Sequence, residues 1–342
     1  MEQWVEKLFS KEVLAKAADR YGANAANAKK LGDFENYVYE VYKENQPYIL
    51  RLTHSSHRSK SEVLAELEWI NYLYHNGINA SLVHRSLNGE LVEEMQLGDS
   101  SFLVCLFDKA PGNPVKMNDP DFGPDLFEKW GEMTGKMHRV TMNYQEGTAK
   151  RAHWTKDDLI DLSPYLDQKK DAIIIEGNDE LVKKIGEFPE TKEAFGLIHS
   201  DIHSGNFFLH NKEVHVFDFD DSMYFYYISD IAIPLYYASW WKHQNSSLEA
   251  RSVFGKRFLT HFLKGYLKEN KIEETWIQRL PDFLKLRDYC LYGVFHKKVD
   301  LESGNEREQK LVADIRQRLI RDELVVDFNF GEVLQLAYQM KD

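Results

Sequence analysis

The stretch His199-Ser200-Asp201-Ile202-His203-Ser204-Gly205-Asn206, followed by Val216-Phe217-Asp218-Phe219-Asp220-Asp221, decides how this chain is read. It sets an aspartate, an asparagine five residues later, and a second aspartate beyond a strand-like segment. Phe207-Phe208-Leu209-His210 and Val214-His215-Val216-Phe217 carry the aromatic and β-branched residues of two strands, with a turn at Asn211-Lys212. Such a hairpin returns Asp218 to the side of Asn206. A carboxylate that orients an attacking hydroxyl, with an amide and a second carboxylate holding Mg²⁺ on nucleotide phosphates, is the set that phosphoryl transfer requires.

An isolated aspartate beside glycine or asparagine is an ordinary turn residue. The combination is what carries the chemistry. His199, Asp201 and His203 also alternate as zinc ligands do in some metallohydrolases. That reading leaves Asn206 without a part and needs ligands that no compact motif elsewhere supplies.

These motifs resemble those of the aminoglycoside phosphotransferase and choline kinase superfamily, whose loop commonly runs His-Gly-Asp-Leu-His-x-Gly-Asn and whose metal strand reads Ile-Asp-Phe-Asp. In length and order of parts the chain is most similar to the Pseudomonas-type homoserine kinase group. The resemblance implies an α+β, bilobal protein-kinase-like fold, with a small antiparallel-sheet N-terminal lobe and a larger, mainly helical C-terminal lobe. It implies Asp201 as the catalytic aspartate, Asn206 and Asp218 as magnesium ligands, and ATP and Mg²⁺ as cofactors. The implied reaction moves the γ-phosphoryl group to a hydroxyl of a small molecule, homoserine or a similar amino alcohol first, an aminoglycoside next. A serine/threonine protein kinase would carry an activation-loop signature and an Ala-Pro-Glu element, which this sequence lacks. A noncatalytic nucleotide-binding module need not retain all three polar groups. Ser200 replaces the commoner glycine of the loop, a change of little consequence unless the position demands a positive φ.

Upstream, residues 1–107 read as a nucleotide-binding lobe. A helical start leads to strands at Tyr37-Val38-Tyr39-Glu40-Val41-Tyr42 and Tyr48-Ile49-Leu50-Arg51-Leu52. Ahead of them Gly32, in Leu31-Gly32-Asp33-Phe34-Glu35-Asn36, sits where the kinase fold keeps its nucleotide loop. Arg51 stands where protein kinases place the phosphate-contacting lysine; it keeps the charge but differs in reach and geometry. Val63, Leu67, Ile70 and Tyr74 recur at helical spacing over 59–75, with Gly77 as a stop. This helix matches the one bearing the cation's glutamate partner, for which Glu66 is the choice and Glu62 the alternative. Leu87-Asn88-Gly89-Glu90-Leu91-Val92 carries a strong hairpin signal, and Phe102-Leu103-Val104-Cys105-Leu106-Phe107 a buried strand. In a kinase-like order of parts, the backbone at Leu106 and Phe107 meets the adenine edge.

The segment Asp108-Lys109-Ala110-Pro111-Gly112-Asn113-Pro114 ends regular structure and opens the catalytic and substrate-binding lobe, residues 108–342. Helical periodicity covers Leu126, Trp130, Met133 and Met137, ending at a structural His138, and recurs over 254–267 and 280–294. Asp220, Asp221, Tyr237, Trp240 and Trp241 could form an amino-alcohol pocket by charge and cation–π contact. Aromatics at this spacing are also ordinary core, and Asp230 a helix cap, so the residues alone leave substrate contact open.

The chain has 342 residues, 43% of them apolar, which is enough for two compact lobes. A formal charge of −12 argues against nonspecific binding of nucleic acid or anionic membrane. Cys105 and Cys290 lie far apart in sequence, which suits a reducing compartment and core filling. The amino terminus lacks the apolar core of a signal peptide and no run approaches a membrane span, so the cytoplasm is the expected address. The acceptor's identity, ATP against GTP, and the oligomeric state have no signature in the residues.

Overall fold

The computed structural model describes residues 3–299 and 305–340. Helices α1 (Gln3–Glu6) and α2 (Lys11–Asp19) precede strands β1 (Asn24–Gly32), β2 (Asn36–Lys43) and β3 (Gln46–His54). Helix α3 (Lys60–His75) follows, then β4 (Val83–His84), β5 (Glu93–Leu97) and β6 (Ser100–Asp108). The sheet order is β1-β2-β3-β6-β4 with β5 also on β6, and every pairing is antiparallel.

Alternation along β3 and β6 divides their side chains between two cores. Leu50, Leu52, Phe102, Val104 and Leu106 are buried with Val13, Leu14, Ala17 and Ala18 of α2. Leu103, Cys105 and Phe107 face the other way and join Val63, Leu67 and Ile70 of α3 in a core that runs on into the carboxy-terminal part. Arg51, between Leu50 and Leu52, therefore faces α3. That helix starts with a capping box, Ser59 and Glu62 each accepting from the other's backbone N–H.

Two features differ from the sequence expectation. Asn88-Gly89 does turn, closed by the Ser86 N–H donating to the Glu90 carbonyl (2.8 Å), but the strands beyond it do not pair with each other, because β4 and β5 both pair with β6. Strand β1 is unannounced: Asn-Ala-Ala-Asn-Ala-Lys-Lys is poor in strand formers, and it exists as an edge held by β2. Gly32 thus ends a strand, and residues 33–35 form the tip between β1 and β2.

Beyond the connector come α4 (Pro124–Thr141), a 3₁₀ turn (Trp154–Lys156), α5 (Ala172–Gly186), β7 (Phe195–Ile198), β8 (Phe207–His210), β9 (Glu213–Val216) and β10 (Met223–Tyr226). Helices α6 (Ser229–Lys242), α7 (Leu248–Glu269), α8 (Glu274–Ile277), α9 (Leu280–Lys298), α10 (Glu306–Arg321) and α11 (Phe330–Gln339) complete the chain. The expected α+β arrangement, a small antiparallel sheet and then a mainly helical part, is the one observed. Strands β8 and β9 form the expected hairpin, with Asn211 and Lys212 at φ 50 and 64, and β7 pairs with β10. Among the described residues no helix is long and apolar enough to cross a membrane.

Candidate active site

A cleft of about 1300 Å³ separates the sheet from the helices. Gly32, Arg51, Glu66 and Phe107 line it from the sheet side, and Asp201, Asn206 and Asp218 from the helical side. Leu106 is not brought there. Its side chain lies in the α2 core and its residue pairs with both β3 and β4. The volume exceeds the roughly 300–1,000 Å³ of a single-ligand site.

The loop bearing Asp201 is pinned from below. Asp230, in the first turn of α6, accepts hydrogen bonds from the N–H groups of His199 (2.9 Å) and Ser200 (2.8 Å). It is fully buried and also meets His138 Nε2 at 3.3 Å, while His138 Nδ1 lies 3.0 Å from the Tyr266 hydroxyl. His138 is thus structural, through side chains and not through helix-end carbonyls. Ser200 has φ 67, so its position does demand the left-handed backbone that favours glycine. Its departure from the family's glycine carries strain, contrary to the expectation of little consequence.

Each imidazole of the loop has both nitrogens engaged. The Asp201 N–H donates to His199 Nδ1 (3.3 Å), which leaves the proton on Nε2, where it donates to the Phe217 carbonyl (3.1 Å). The Gly205 N–H donates to His203 Nδ1 (2.9 Å), so His203 Nε2 carries the proton and points at Asp201 Oδ2, 3.3 Å away. A Cβ at position 205 would lie 2.6 Å from the His203 ring, which is why glycine stands there. Neither histidine offers a free nitrogen, and the zinc reading fails on that point.

Asp201 is held at both oxygens. Asn206 Nδ2 donates to Oδ2 (3.1 Å) and to the Asp201 carbonyl (2.9 Å), and Arg287 Nη2 donates to Oδ1 (2.6 Å). Burial would push this carboxyl up, but the His203 hydrogen bond and the Arg287 charge outweigh it and keep it below the usual carboxylate range. Asp218 follows β9 at φ 65 and accepts no hydrogen bond from any described residue. Enclosure in the cleft and repulsion by Asp220 push its carboxyl up, a rise that its exposure to solvent softens.

With Nδ2 engaged, the Asn206 amide presents Oδ1 as its remaining group. Oδ1 and the open Asp218 carboxylate together fit a hard cation that keeps waters and phosphate oxygens as its other ligands. No three His, Cys, Asp or Glu side chains among the described residues are grouped to hold a metal by themselves.

At the sheet end Arg51 and Glu66 form a two-pronged pair, Nη1–Oε1 and Nη2–Oε2 both 2.7 Å, with 5% and 0% exposure. Glu62 is engaged in capping α3, so the pairing falls to Glu66. The guanidinium carbon sits 5.2 Å from the Phe107 ring centre.

Asp220 and Asp221 are tied across the cleft. His57 Nε2 lies 2.7 Å from Asp220 Oδ2, and Arg58 Nη2 donates to Asp221 at 3.0 Å, both from the segment before α3. Burial would raise Asp220, yet His57 and Arg58 hold it far below its usual value. Arg151 donates to the carbonyls of Asp220 (2.5 Å), Ser222 (2.6 Å) and Glu62 (3.2 Å). Of the aromatics left open by the sequence, Tyr237 reaches the cleft and Arg287 donates to its hydroxyl. Trp240 is buried with Arg318 5.9 Å from its ring, and Trp241 meets the His203 ring edge-on and the Tyr237 ring at a tilt. His57, Arg58, Arg151 and Arg287 escaped the sequence reading because no local spacing links them to the motifs they touch.

The family model described as the phosphotransferase enzyme family matches residues 28–276. An amicoumacin kinase of Bacillus subtilis (strain 168) is 36% identical over 336 residues, covering 96% of this chain and 98% of that protein. An amicoumacin kinase solved in complex with AMP-PNP, Ca²⁺ and Ami superposes with a TM-score of 0.91 at 34% identity, over 97% of this chain and 100% of that one. A microcompartment-associated aminopropanol kinase shares the fold, with a TM-score of 0.71 at 18% identity over 92% and 99% of the two chains.

Proposed function

Because the chain belongs to the phosphotransferase enzyme family, we propose that it moves the γ-phosphoryl group of ATP, with Mg²⁺, onto a hydroxyl of a small molecule, and that amicoumacin or a compound of its kind is the acceptor. One observation carries the reading: Asp201, Asn206 and Asp218 share a cleft with the Arg51–Glu66 pair. Asp201 orients the acceptor hydroxyl and draws on its proton as the oxygen attacks. Asn206 and Asp218 would hold Mg²⁺, which when bound neutralises charge on phosphate oxygens. Arg51, fixed by Glu66, turns its charge toward the phosphates, and the tip after Gly32 covers them. Phe107, with the backbone that follows Leu106, borders the adenine edge. Residues 1–107 serve the nucleotide, and residues 108–342 serve the chemistry and the acceptor. A cytoplasmic address accompanies the use of ATP.

The acceptor end of the cleft supports the choice of substrate. Leu159, Ile160, Leu286, Leu291 and Val294 line it beside Arg287. A wall of this kind suits a molecule with an apolar body as well as a hydroxyl. Homoserine, the acceptor first expected from the sequence, would leave that wall bare, and the kinases compared above are named for amicoumacin and aminopropanol.

Purified protein with ATP and Mg²⁺ is offered amicoumacin, aminopropanol, homoserine, an aminoglycoside and a serine peptide, reading ADP release and phosphorylated product. Amicoumacin is expected to exceed homoserine by at least about 10²-fold in kcat/KM. Transfer to the peptide alone, or nucleotide binding without transfer to any acceptor, overturns the reading.

A further inference from the structure

We propose that Arg287, anchored by Tyr237, is the positioning residue that sets the Asp201 carboxylate for the acceptor hydroxyl; this rests on the phosphotransferase reading above. Arg287 comes from α9, which walls the acceptor end of the cleft, and lies 86 residues along the chain from its partner. Its Nη2 donates to Asp201 Oδ1 at 2.6 Å, and Nε and Nη2 reach the Tyr237 hydroxyl at 3.1 and 2.5 Å. Tyr237 is itself fixed, 6% exposed, with its ring against those of Tyr236, Trp241 and His203. A rigid side chain of α6 therefore holds a guanidinium that holds one oxygen of the base.

The lone pairs show what this does. A carboxylate offers about four acceptor positions. Asn206 and His203 occupy two on Oδ2, and Arg287 occupies one on Oδ1. The position left is on Oδ1, next to the guanidinium. An incoming hydroxyl is directed there, and rotation of the carboxylate away from it is blocked from both sides.

The pair is poorly suited to a purely structural task. Both side chains keep about a fifth of their surface, 21% and 20%, open to the cleft, where an acceptor can reach them. Among the described residues Nη1 of Arg287 has no hydrogen-bond partner, so the guanidinium is not consumed by the fold. Tyr237, considered from the sequence as an acceptor contact, has its hydroxyl committed to Arg287 instead.

The test uses the full chain, ATP, and the panel acceptor that wild type prefers, with Arg287→Gln, Arg287→Lys, Tyr237→Phe, Asp201→Asn and the Asp201→Asn/Arg287→Gln double variant. Arg287→Gln is expected to lower kcat by about 10²-fold, the scale of a misplaced reacting group, with KM for ATP within about twofold. Arg287→Lys should recover about tenfold of that loss, because an ammonium can meet Oδ1 but cannot also grip Tyr237. Tyr237→Phe should lose about tenfold, through the loosened arginine. If Arg287 acts through Asp201, the double variant is no slower than Asp201→Asn alone, within about twofold.

Losses that multiply in the double variant assign Arg287 to a separate task and overturn the inference. So does unchanged kcat in a folded Arg287→Gln. Should that variant fail to fold, Arg287→Lys and Tyr237→Phe decide the question by the same kcat-against-KM split. A fully active Asp201→Asn, or a wild type that phosphorylates nothing in the panel, removes the reading beneath. An inactive Asp201→Asn beside an unaffected Arg287→Gln removes this inference alone.

Discussion

Arg51 and Asp218 border the same cleft, yet one is a buried ion gripped at both ends of its fork and the other is an open carboxylate with no hydrogen bond from a described residue. The sheet end balances its charges internally: Glu66 answers Arg51, and the pair is almost wholly buried. The helical end gathers Asp201, Asp218, Asp220 and Asp221; Arg287 of the same end reaches the first, and His57 and Arg58 reach the last two from across the cleft. Asp218 is the one left over. Groups already compensated hold a geometry, whereas a group left uncompensated awaits a ligand.

The largest effect should fall at the helical end and touch turnover, not folding. Asp201→Asn keeps the shape but loses the ability to draw a proton, and kcat should drop about 10²–10⁴-fold with thermal unfolding little changed. Steady-state kinetics beside a melting curve checks both halves. At the sheet end the pattern should invert. Glu66→Gln leaves Arg51 buried without its counter-charge, which should lower stability by about 3–5 kcal/mol in a urea titration. A stable Glu66→Gln variant would break the contrast between the two ends.

Asp218 sharpens the comparison. A carboxyl whose folded pKa lies above its unfolded value of about 3.9 costs stability when ionised; the cost is absent below the unfolded value and complete above the folded one. Asp218→Asn should therefore melt above wild type at pH 8 without metal, an advantage that shrinks as the pH falls from the raised folded value toward about 4 and is gone below it. With nucleotide, the half-saturating Mg²⁺ concentration should rise by more than about tenfold. An unchanged magnesium titration would take Asp218 out of the metal site.

Which parts were legible follows from the range over which their causes act. The hairpin at Asn211-Lys212 was readable because a two-residue turn with positive φ is a local requirement. Glu66 was legible through the resemblance, which puts the cation's partner on α3; helix spacing sets Glu62 on the same face, and it could be set aside only once its capping bond was seen. Strand β1 was not, since an edge strand of Asn, Ala and Lys is held by its neighbour and not by its own propensities. Arg287 was equally silent: periodicity places it on a helix but says nothing of which loop that helix will face. Leu106 and Phe107 were grouped by sequence order, and strand alternation sends them to opposite faces.

Ser200 gives the smallest and most local comparison. It and Asp218 both occupy left-handed backbone, φ 67 and 65, on the two motifs that meet in the cleft. An aspartate tolerates that region better than most residues. A serine does so less readily, and Ser200 is kept there by the bond from its N–H to the buried Asp230. Ser200→Gly removes the Cβ conflict, worth about 1 kcal/mol, but adds freedom to the unfolded chain that offsets part of it. A net gain of about 0.5 kcal/mol or less is expected in chemical denaturation, with kcat unchanged, because the Asp230 bonds alone suffice to keep the loop in place. A fall in kcat would mean that the strained serine helps aim Asp201, and the backbone of this loop would then have to be counted among the devices that position the base.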